Sequence, residues 1–480
     1  MPSTPKPHIL LITVDELRMD ALGCYGARAV ETPHLDALAR SGTQFGNAYT
    51  VSPLCLPSRC SMVTGLFPHN SRAYSNFRPC PLNPELPNLY RLLRTVGYST
   101  AHVGKCHYTP GPYGKARPGA TVDLEHVKDF YLGLGMDHLD LQNGKMNSLW
   151  FYNDYSRELE NAGVLDTYRT LAADKIGNGR VFPFPGPTEW HPDAWVGRKA
   201  VEYIDSHGGE TPRFVFVSFS GPHYPFDAPE EYYSRVDMDK VGLGVFREGE
   251  FDQPKIQAPA FNGGGERMAL AEGKNSTPDF ACKSYSDDYW RRLRRAYLAN
   301  VALIDDWIGR IIERARAAYG DNLLVIFTTD HGEMLGNHRL WGKNSCAYED
   351  VLKVPLIVRF PGQSGHQSSD ARVMLIDILP TCLASAGVET PAIDGRDLRL
   401  SLEDGGYSHV LSECEGMVIV SDGRYKYIQY SQSGRSLCEA YDLARDPHEF
   451  DNVIDHPDHV REISNLREVL AGFFMRDFLA

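Results

Sequence analysis

A chain of 480 residues, 42% hydrophobic and 23% charged, has the profile of an ordinary globular protein and is long enough for a large domain plus a smaller one. Its net charge of -13 repels polyanions, which argues against nucleic acid and anionic membrane as partners and means that an anionic substrate would need locally gathered cations. No run approaches the roughly 18 apolar residues of a membrane-crossing helix. The 10 cysteines lack zinc-type spacing, and the opening apolar run is too short for a signal peptide, so the expected location is the cytoplasm.

In chain order, the apolar run His8–Val14 ends on Asp15 and Glu16 and reads as a buried parallel strand. Pro33–Ser41 reads as a helix stopped by Gly42, and in SPLCLPSRCSMVTG (Ser52–Gly65) Cys55 stands ahead of a short helical run. A helix, a glycine turn and a strand follow, ending at Lys105 with His107 beyond it. Ala194–His207 is an amphipathic helix, and Phe214–Phe219 is a strand with His223 just past it. Asp287–Tyr319 forms a long helix, because Leu293, Tyr297, Val301, Ile304, Ile308, Ile311 and Ala315 recur on one face. Asn322–Thr329 is a strand ending on Asp330 and His331; Val354–Phe360 is a strand and Leu375–Gly387 a helix. Tyr108–Pro192 and Pro225–Asp287 lack periodicity and are expected to be lids or substrate loops. The aromatic clusters at Leu149–Tyr155 and Glu230–Ser234 could stack on a sugar, but fit core or lid packing better.

Alternating strands and helices predict an α/β fold: a large mixed, mostly parallel sheet sandwiched by helices over residues 1–390, the catalytic domain. The pattern changes after Thr390 to short β-type runs and one terminal helix, which predicts a smaller antiparallel sheet with one helix over residues 391–480, an α+β subdomain.

Chemistry in such folds collects at the carboxyl ends of strands. Asp15, Glu16, Asp330 and His331 offer hard ligands for Ca²⁺ or Mg²⁺, although either pair alone equally suits a helix cap or a solvated turn. Lys105, His107, His223, His338 and Lys343 follow strands or the acidic pair, where they could converge on an anion; each alone also fits a surface or capping role. Cys55 could be a thiolate nucleophile favoured by a helix N-terminus, or a buried structural cysteine, which is how Cys60 and Cys106 read.

Taken together, several motifs carry a family resemblance. They are Cys55-Leu56-Pro57-Ser58-Arg59 followed by Met62-Val63-Thr64-Gly65, the early acidic pair, Gly104-Lys105 with His107, Pro222-His223 with Pro225, Thr328-Thr329-Asp330-His331-Gly332-Glu333, Gly342-Lys343, and the run Tyr441–Val453. In this order they resemble the type I sulfatases of the alkaline phosphatase superfamily over nearly the whole chain.

The resemblance implies that Cys55 is oxidised to formylglycine by a formylglycine-generating enzyme that reads the Cys, Pro57 and Arg59. One hydroxyl of the hydrated aldehyde attacks sulfur and the alcohol leaves; the other then loses its proton and sulfate departs as the aldehyde reforms. Asp15, Glu16, Asp330 and His331, with residue 55, match the metal ligands. Oxygen ligands suit Ca²⁺, Mg²⁺ and Mn²⁺, with Ca²⁺ the expected ion. Arg59 and Lys105 match residues that hold the diol and the charge beside the metal, and His107 matches the base for elimination. His223 and Lys343 match the sulfate-binding pair, with His223 a general acid.

Two positions depart from the common sulfatase pattern: Glu16 stands where many members have Asp, and His331 where many have Asn. Relatives acting on phosphonate and phosphate esters often carry Gln and His there. Against that reading, Lys105 and His107 are both present, as sulfatases keep them, so the expected function is sulfate monoester hydrolysis on a small-molecule or saccharide ester such as choline-O-sulfate, an aryl sulfate or a sulfated sugar. The alternatives are a phosphonate or phosphate mono- or diester hydrolase on the same scaffold, and a catalytically silent binder of sulfated glycans. The intact set Cys55, Arg59, Lys105, His107 and Asp330 argues against the silent binder. Oligomeric state is not readable from these residues.

Overall fold

Ile9, Leu10, Leu11, Ile12 and Val14 are all buried, so the strand they form must be covered on both faces. The computed structural model, which describes residues 5–110, 122–123, 125–174, 181–262, 282–343, 346–432 and 435–479, places that strand near the middle of a large sheet. The sheet contains β1 (His8–Asp15), β2 (Thr43–Tyr49), β3 (Ser99–Lys105), β5 (His138–Gln142), β7 (Arg213–Pro222), β8 (Leu323–Thr329), β9 (Lys353–Arg359) and β10 (Gln367–Met374). Its eight strands run in the order β10-β2-β9-β8-β1-β7-β3-β5. Every pairing is parallel except those of β9 with β8 and β2. A separate parallel pair joins β4 (Val122–Asp123) to β6 (Phe151–Tyr152).

Side chains alternate across a strand, so β1 feeds two cores. Leu10, Ile12 and Val14 point to the layer made by the helices Pro192–Ser206 and Asp287–Tyr319, where they meet Val196, Tyr297 and Ile304. Ile9 and Leu11 point the other way, into a core shared with Leu56, Met62, Leu93 and Leu379. Those residues come from the helices Cys55–Thr64, Leu89–Arg94 and Ile378–Ala386. Burying one such Leu or Met contributes about 1.5–3 kcal/mol. All ten residues of the helix Cys55–Thr64 are buried, which fixes its N-terminus firmly against the carboxyl edge of the sheet.

The C-terminal part is an antiparallel sheet of β11 (Val410–Cys414), β12 (Met417–Ser421), β13 (Tyr425–Gln432) and β14 (Arg435–Asp442), in that order. The helix Val460–Leu479 covers one face, setting Ile463, Leu466 and Leu470 against Val420, Tyr425 and Tyr427. The other face, with Ile419, Ile428 and Tyr441, shares a core with Tyr49, Val51, Tyr348 and Ile376 of the large sheet's side. Leu398, just ahead of the small sheet, packs into the large sheet's core. Among the described residues no helix is long and apolar enough to cross a membrane.

One expectation needs correcting. Tyr108–Pro192 is not a set of loops: it holds the helices Glu125–Gly133, Lys145–Trp150, Asp154–Asn161 and Leu165–Asp174, and the edge strand β5. Tyr131, Leu149, Tyr155, Leu159 and Tyr168 are buried there. The helices are short, and each sends only a few apolar residues to one core, too few for a 3.6-residue stripe to show. Residues 111–121, 124 and 175–180 of this stretch lie outside the described residues. Pro225–Asp287 is mostly turns around the short helices Glu230–Tyr233 and Ala258–Asn262; residues 263–281 lie outside the described residues.

Gly104 shows how tightly the edge of the site is built. Its φ is +105°, and a Cβ there would stand 2.0 Å from the Ser218 carbonyl oxygen of the neighbouring strand. Gly104→Ala adds a backbone cost of about 1–2 kcal/mol to that clash, so a total destabilisation of about 3 kcal/mol or more is expected. A fall in the urea midpoint checks it; an unchanged midpoint would refute this account.

Candidate active site

Four strands adjacent in the sheet, β8, β1, β7 and β3, end side by side. They deliver Asp330 and His331, Asp15 and Glu16, His223, and Lys105 to one edge. Cys55 opens the helix Cys55–Thr64 at that edge, after the extended Leu54. Residues far apart in the sequence thus become spatial neighbours.

Ligand atoms of Asp15, Cys55, Asp330 and His331 lie within 4.8 Å of one another, and all four residues are buried. Cys55 Sγ is 3.1 Å from His331 Nε2. His331 Nδ1 lies 2.9 Å from the Gly332 carbonyl, which only accepts, so Nδ1 carries the proton and Nε2 faces the cluster. Asp330 Oδ1 accepts the backbone N–H groups of Glu16 and His331 at 3.1 and 3.0 Å. Arg59 Nε donates to Asp330 Oδ2 at 2.7 Å, while Nη1 donates to the Lys105 carbonyl and Ser218 Oγ at 2.9 and 2.7 Å. Arg59 Nη2 stands 3.8 Å from Asp15 Oδ1, and Lys105 Nζ donates to Asp15 Oδ2.

Asp15 Oδ1 is buried and accepts no hydrogen bond. An orphaned carboxylate oxygen is costly unless something charged meets it. Two carboxylates, an imidazole nitrogen and the atom at position 55 surround that point, so the residues fit a divalent cation. Four of the five expected ligands are in this cluster and Glu16 is outside it. Glu16, in a left-handed backbone conformation (φ 69°), sets Oε2 3.2 Å from Lys343 Nζ and 3.3 Å from His223 Nε2. His107 shares that unusual conformation (φ 55°). Such backbone strain costs on the order of 1–3 kcal/mol per residue and clusters at functional sites.

The charges follow from the packing. Burial alone would raise the Asp15 carboxyl, but Lys105, His223, Arg59 and Lys343 hold it well below the ordinary range. Burial and Asp15 oppose ionisation of the Cys55 thiol, yet Lys105, Lys343 and His331 prevail and hold it well below its ordinary value. Burial pushes Glu16 well up, and Glu333 and Asp15 add to this against Lys343. His223 is held well below its ordinary value by burial and Lys343. Burial also lowers His107, against the influence of the Cys55 thiol beside it. Burial would lower Lys343, but Cys55, Glu16 and Asp15 keep it firmly charged.

Several residues have supporting roles that the sequence did not reveal. Asp193, near the start of the helix Pro192–Ser206, accepts the N–H groups of Ser220 and Gly221 at 3.0 and 2.7 Å and fixes the end of β7 ahead of His223. Lys145 joins Asp193 to Asp227 at 3.6 and 2.7 Å, wholly buried. Glu333 Oε1 accepts the Leu335 N–H at 3.1 Å and also the Gly342 N–H, which holds the turn bearing Lys343. In the sequence Asp193, Asp227 and Lys145 are isolated acids and a lysine, indistinguishable from helix caps and surface charges, and Glu333 stands in the Thr328–Glu333 motif with no sign that it holds the turn bearing Lys343.

A pocket of carboxylates, thiol and imidazole that could hold a cation, ringed by Arg59, Lys105 and Lys343, has the make-up of a hydrolase acting on anionic esters. The family model described as Sulfatase matches residues 7–388, and one described as N-sulphoglucosamine sulphohydrolase, C-terminal, matches residues 336–474. The chain belongs to the sulfatase family, within the alkaline phosphatase superfamily, and is a sulfatase enzyme. It is 28% identical to an uncharacterized sulfatase, YidJ, of Escherichia coli (strain K12), over 94% of this chain and 83% of that protein. It is 26% identical to an arylsulfatase of Clostridium perfringens, over 97% of this chain and 94% of that one. Its fold matches phosphonate monoester hydrolase SpPMH from Silicibacter pomeroyi with a TM-score of 0.77 at 24% identity, covering 98% of this chain and 96% of that chain.

Proposed function

We propose that this sulfatase hydrolyses sulfate monoesters of saccharides or small alcohols to the alcohol and inorganic sulfate, using formylglycine formed from Cys55 and one divalent cation, Ca²⁺ before Mg²⁺ or Mn²⁺. The supporting observation is the setting of Cys55: a buried thiol at a helix start, 3.1 Å from His331, within a cluster of metal-type donors and facing Lys105 and Lys343. In this reading Sγ stands in for an oxygen of the hydrated aldehyde, and a formylglycine-generating enzyme reads Cys55, Pro57 and Arg59.

Asp15, Asp330, His331 and residue 55 would hold the cation, which supplies positive charge to the nucleophile and the sulfate oxygens. Arg59 keeps Asp330 in place through its Nε, and Lys105 does the same for Asp15. Lys343 stays charged and offers an ammonium to the sulfate. His107, kept neutral by burial and beside Cys55, accepts the proton of the second hydroxyl as sulfate departs. His223 protonates the leaving alcohol. For that it must carry a second proton, and the Glu16 carboxyl lies 3.3 Å from its Nε2, the nitrogen that would carry it.

A second reading, phosphonate or phosphate ester hydrolysis, is favoured by His331 beside residue 55. The test is kcat/KM for an aryl sulfate and the matched aryl phosphonate monoester, on protein co-expressed with the generating enzyme. The sulfate is expected to be preferred at least tenfold. A preference for the phosphonate replaces the first reading with the second. Mass spectrometry of the peptide carrying residue 55 separates both from a silent glycan binder, since only unmodified thiol after co-expression would remove the formylglycine mechanism.

A further inference from the structure

In the aromatic clusters that the sequence offered as sugar platforms, Leu149, Phe151, Tyr155 and Tyr232 are buried, and Trp150, Tyr152 and Tyr233 are only partly exposed. Large apolar side chains on the surface are few among the described residues, and two of them, Tyr74 (38% exposed) and Phe77 (43% exposed), stand in one loop. That loop is attached to the active-site helix. Asn76 Oδ1 accepts the backbone N–H of Leu56 at 2.9 Å, which puts the loop against the same end of the helix from which Cys55 enters the site.

The loop is anchored from within. Ser75 Oγ accepts the N–H groups of Phe77 and Arg78 at 2.9 and 3.1 Å. The Cys80 N–H donates to the Arg78 carbonyl at 2.8 Å, and its thiol to the Ser75 carbonyl at 3.2 Å. Ala73, Ser75 and Asn76 are buried, while Arg72, Tyr74, Phe77 and Arg78 are exposed. Aromatic side chains that keep part of their surface exposed on a hydrogen-bonded turn bind at little cost, because few rotamers must be frozen.

Charge narrows the ligand. The chain carries a net charge of -13, yet Arg72–Cys80 holds two arginines and no acid. Arg78 pairs with Glu415 at 2.9 Å, and Arg72 is presented from a left-handed backbone position (φ 61°). With Arg78 neutralised by Glu415, Arg72 carries the charge of this rim, which disfavours a cationic alcohol such as choline and suits one that carries further sulfate or carboxylate groups. Aromatic faces meet the apolar faces of a sugar ring.

We propose that Tyr74 and Phe77, with Arg72, form a subsite that seats the pyranose ring of an anionic sulfated saccharide whose scissile ester lies at residue 55. This rests on reading the site as that of a sulfate ester hydrolase. The test measures binding rather than turnover, in a Cys55→Ala background that cannot complete the reaction. Glucosamine 2-N,6-O-disulfate, glucose 6-sulfate and choline-O-sulfate are titrated by calorimetry, and folding is checked by thermal unfolding. Tyr74→Ala/Phe77→Ala is expected to raise the Kd of the disulfated sugar at least tenfold. Arg72→Ala is expected to weaken the disulfated sugar more than the monosulfated one. If the double alanine variant does not fold, Tyr74→Leu/Phe77→Leu keeps the apolar bulk and is expected to lose the same affinity. A shift below tenfold overturns the subsite, as does a parent protein that binds choline-O-sulfate but neither sugar. Release of sulfate from 4-nitrophenyl sulfate by the formylglycine form tests the hydrolase reading separately, so failure of one does not imply failure of the other.

Discussion

Cys55→Ala is expected to lower sulfate release by roughly 10⁴-fold or more while leaving the protein folded, the scale seen when a nucleophile is removed from a preorganised site. The residue opens its helix and is buried, but the helix is held by Leu56, Cys60, Met62 and Val63, which pack elsewhere in the core. Alanine suits a helix, and the lost sulfur leaves a small void, so the stability cost is about 1 kcal/mol. What disappears is the only group at that point that can become an aldehyde. The wild-type peptide should show the matching change: the side chain loses sulfur and two hydrogens and gains oxygen. Sulfate release that falls less than tenfold in the variant would remove residue 55 from the reaction and leave the arrangement of Lys105, His107 and Lys343 around it without a purpose.

The two kinds of information differ in a physically intelligible way. β1, β7 and β8 were legible because both faces of each strand are buried, so their residues form unbroken apolar runs. β2, β5, β10 and β14 were not. β10 and β5 lie at the sheet's edges, and sequences such as QSSDARVM carry polar residues where one face meets water. The site divides along the same line. Asp15, Lys105, His223, Asp330 and His331 follow strands, so their convergence could be anticipated from an α/β sheet alone. Glu16 also follows a strand, but its orientation depends on a left-handed backbone and on the partners Lys343 and His223, which no spacing reveals. Asp193 and Lys145 meet only through folding, across segments far apart in the chain. The loop bearing Tyr74 and Phe77 was overlooked for another reason: isolated exposed aromatics show no periodicity, and only the Asn76–Leu56 hydrogen bond places them beside the helix that bears Cys55.

Asp15→Asn should abolish the response of the protein to divalent cations. In the wild type, Asp15 Oδ1 is buried without a hydrogen bond, so the apo site carries an uncompensated carboxylate oxygen that a cation would satisfy. A cation at 100 times its Kd adds about 2.7 kcal/mol to the folded state. Chelation should therefore lower the melting temperature, and Ca²⁺ should restore it. The asparagine variant lacks the charge that draws the ion, and it leaves Lys105 and Arg59 buried with one carboxylate fewer between them. Breaking such a buried pairing costs about 3–5 kcal/mol, so its melting temperature should fall below that of the chelated wild type and should not rise with Ca²⁺. Activity should drop roughly 100-fold or more, because losing even an outer partner of a metal ligand costs about 10–100-fold. Metal content by atomic emission decides the matter independently of activity. An asparagine variant that retains one bound ion per chain, or a wild type whose melting temperature ignores chelation, would mean that Asp15 serves only as the counter-charge of Lys105 and Arg59.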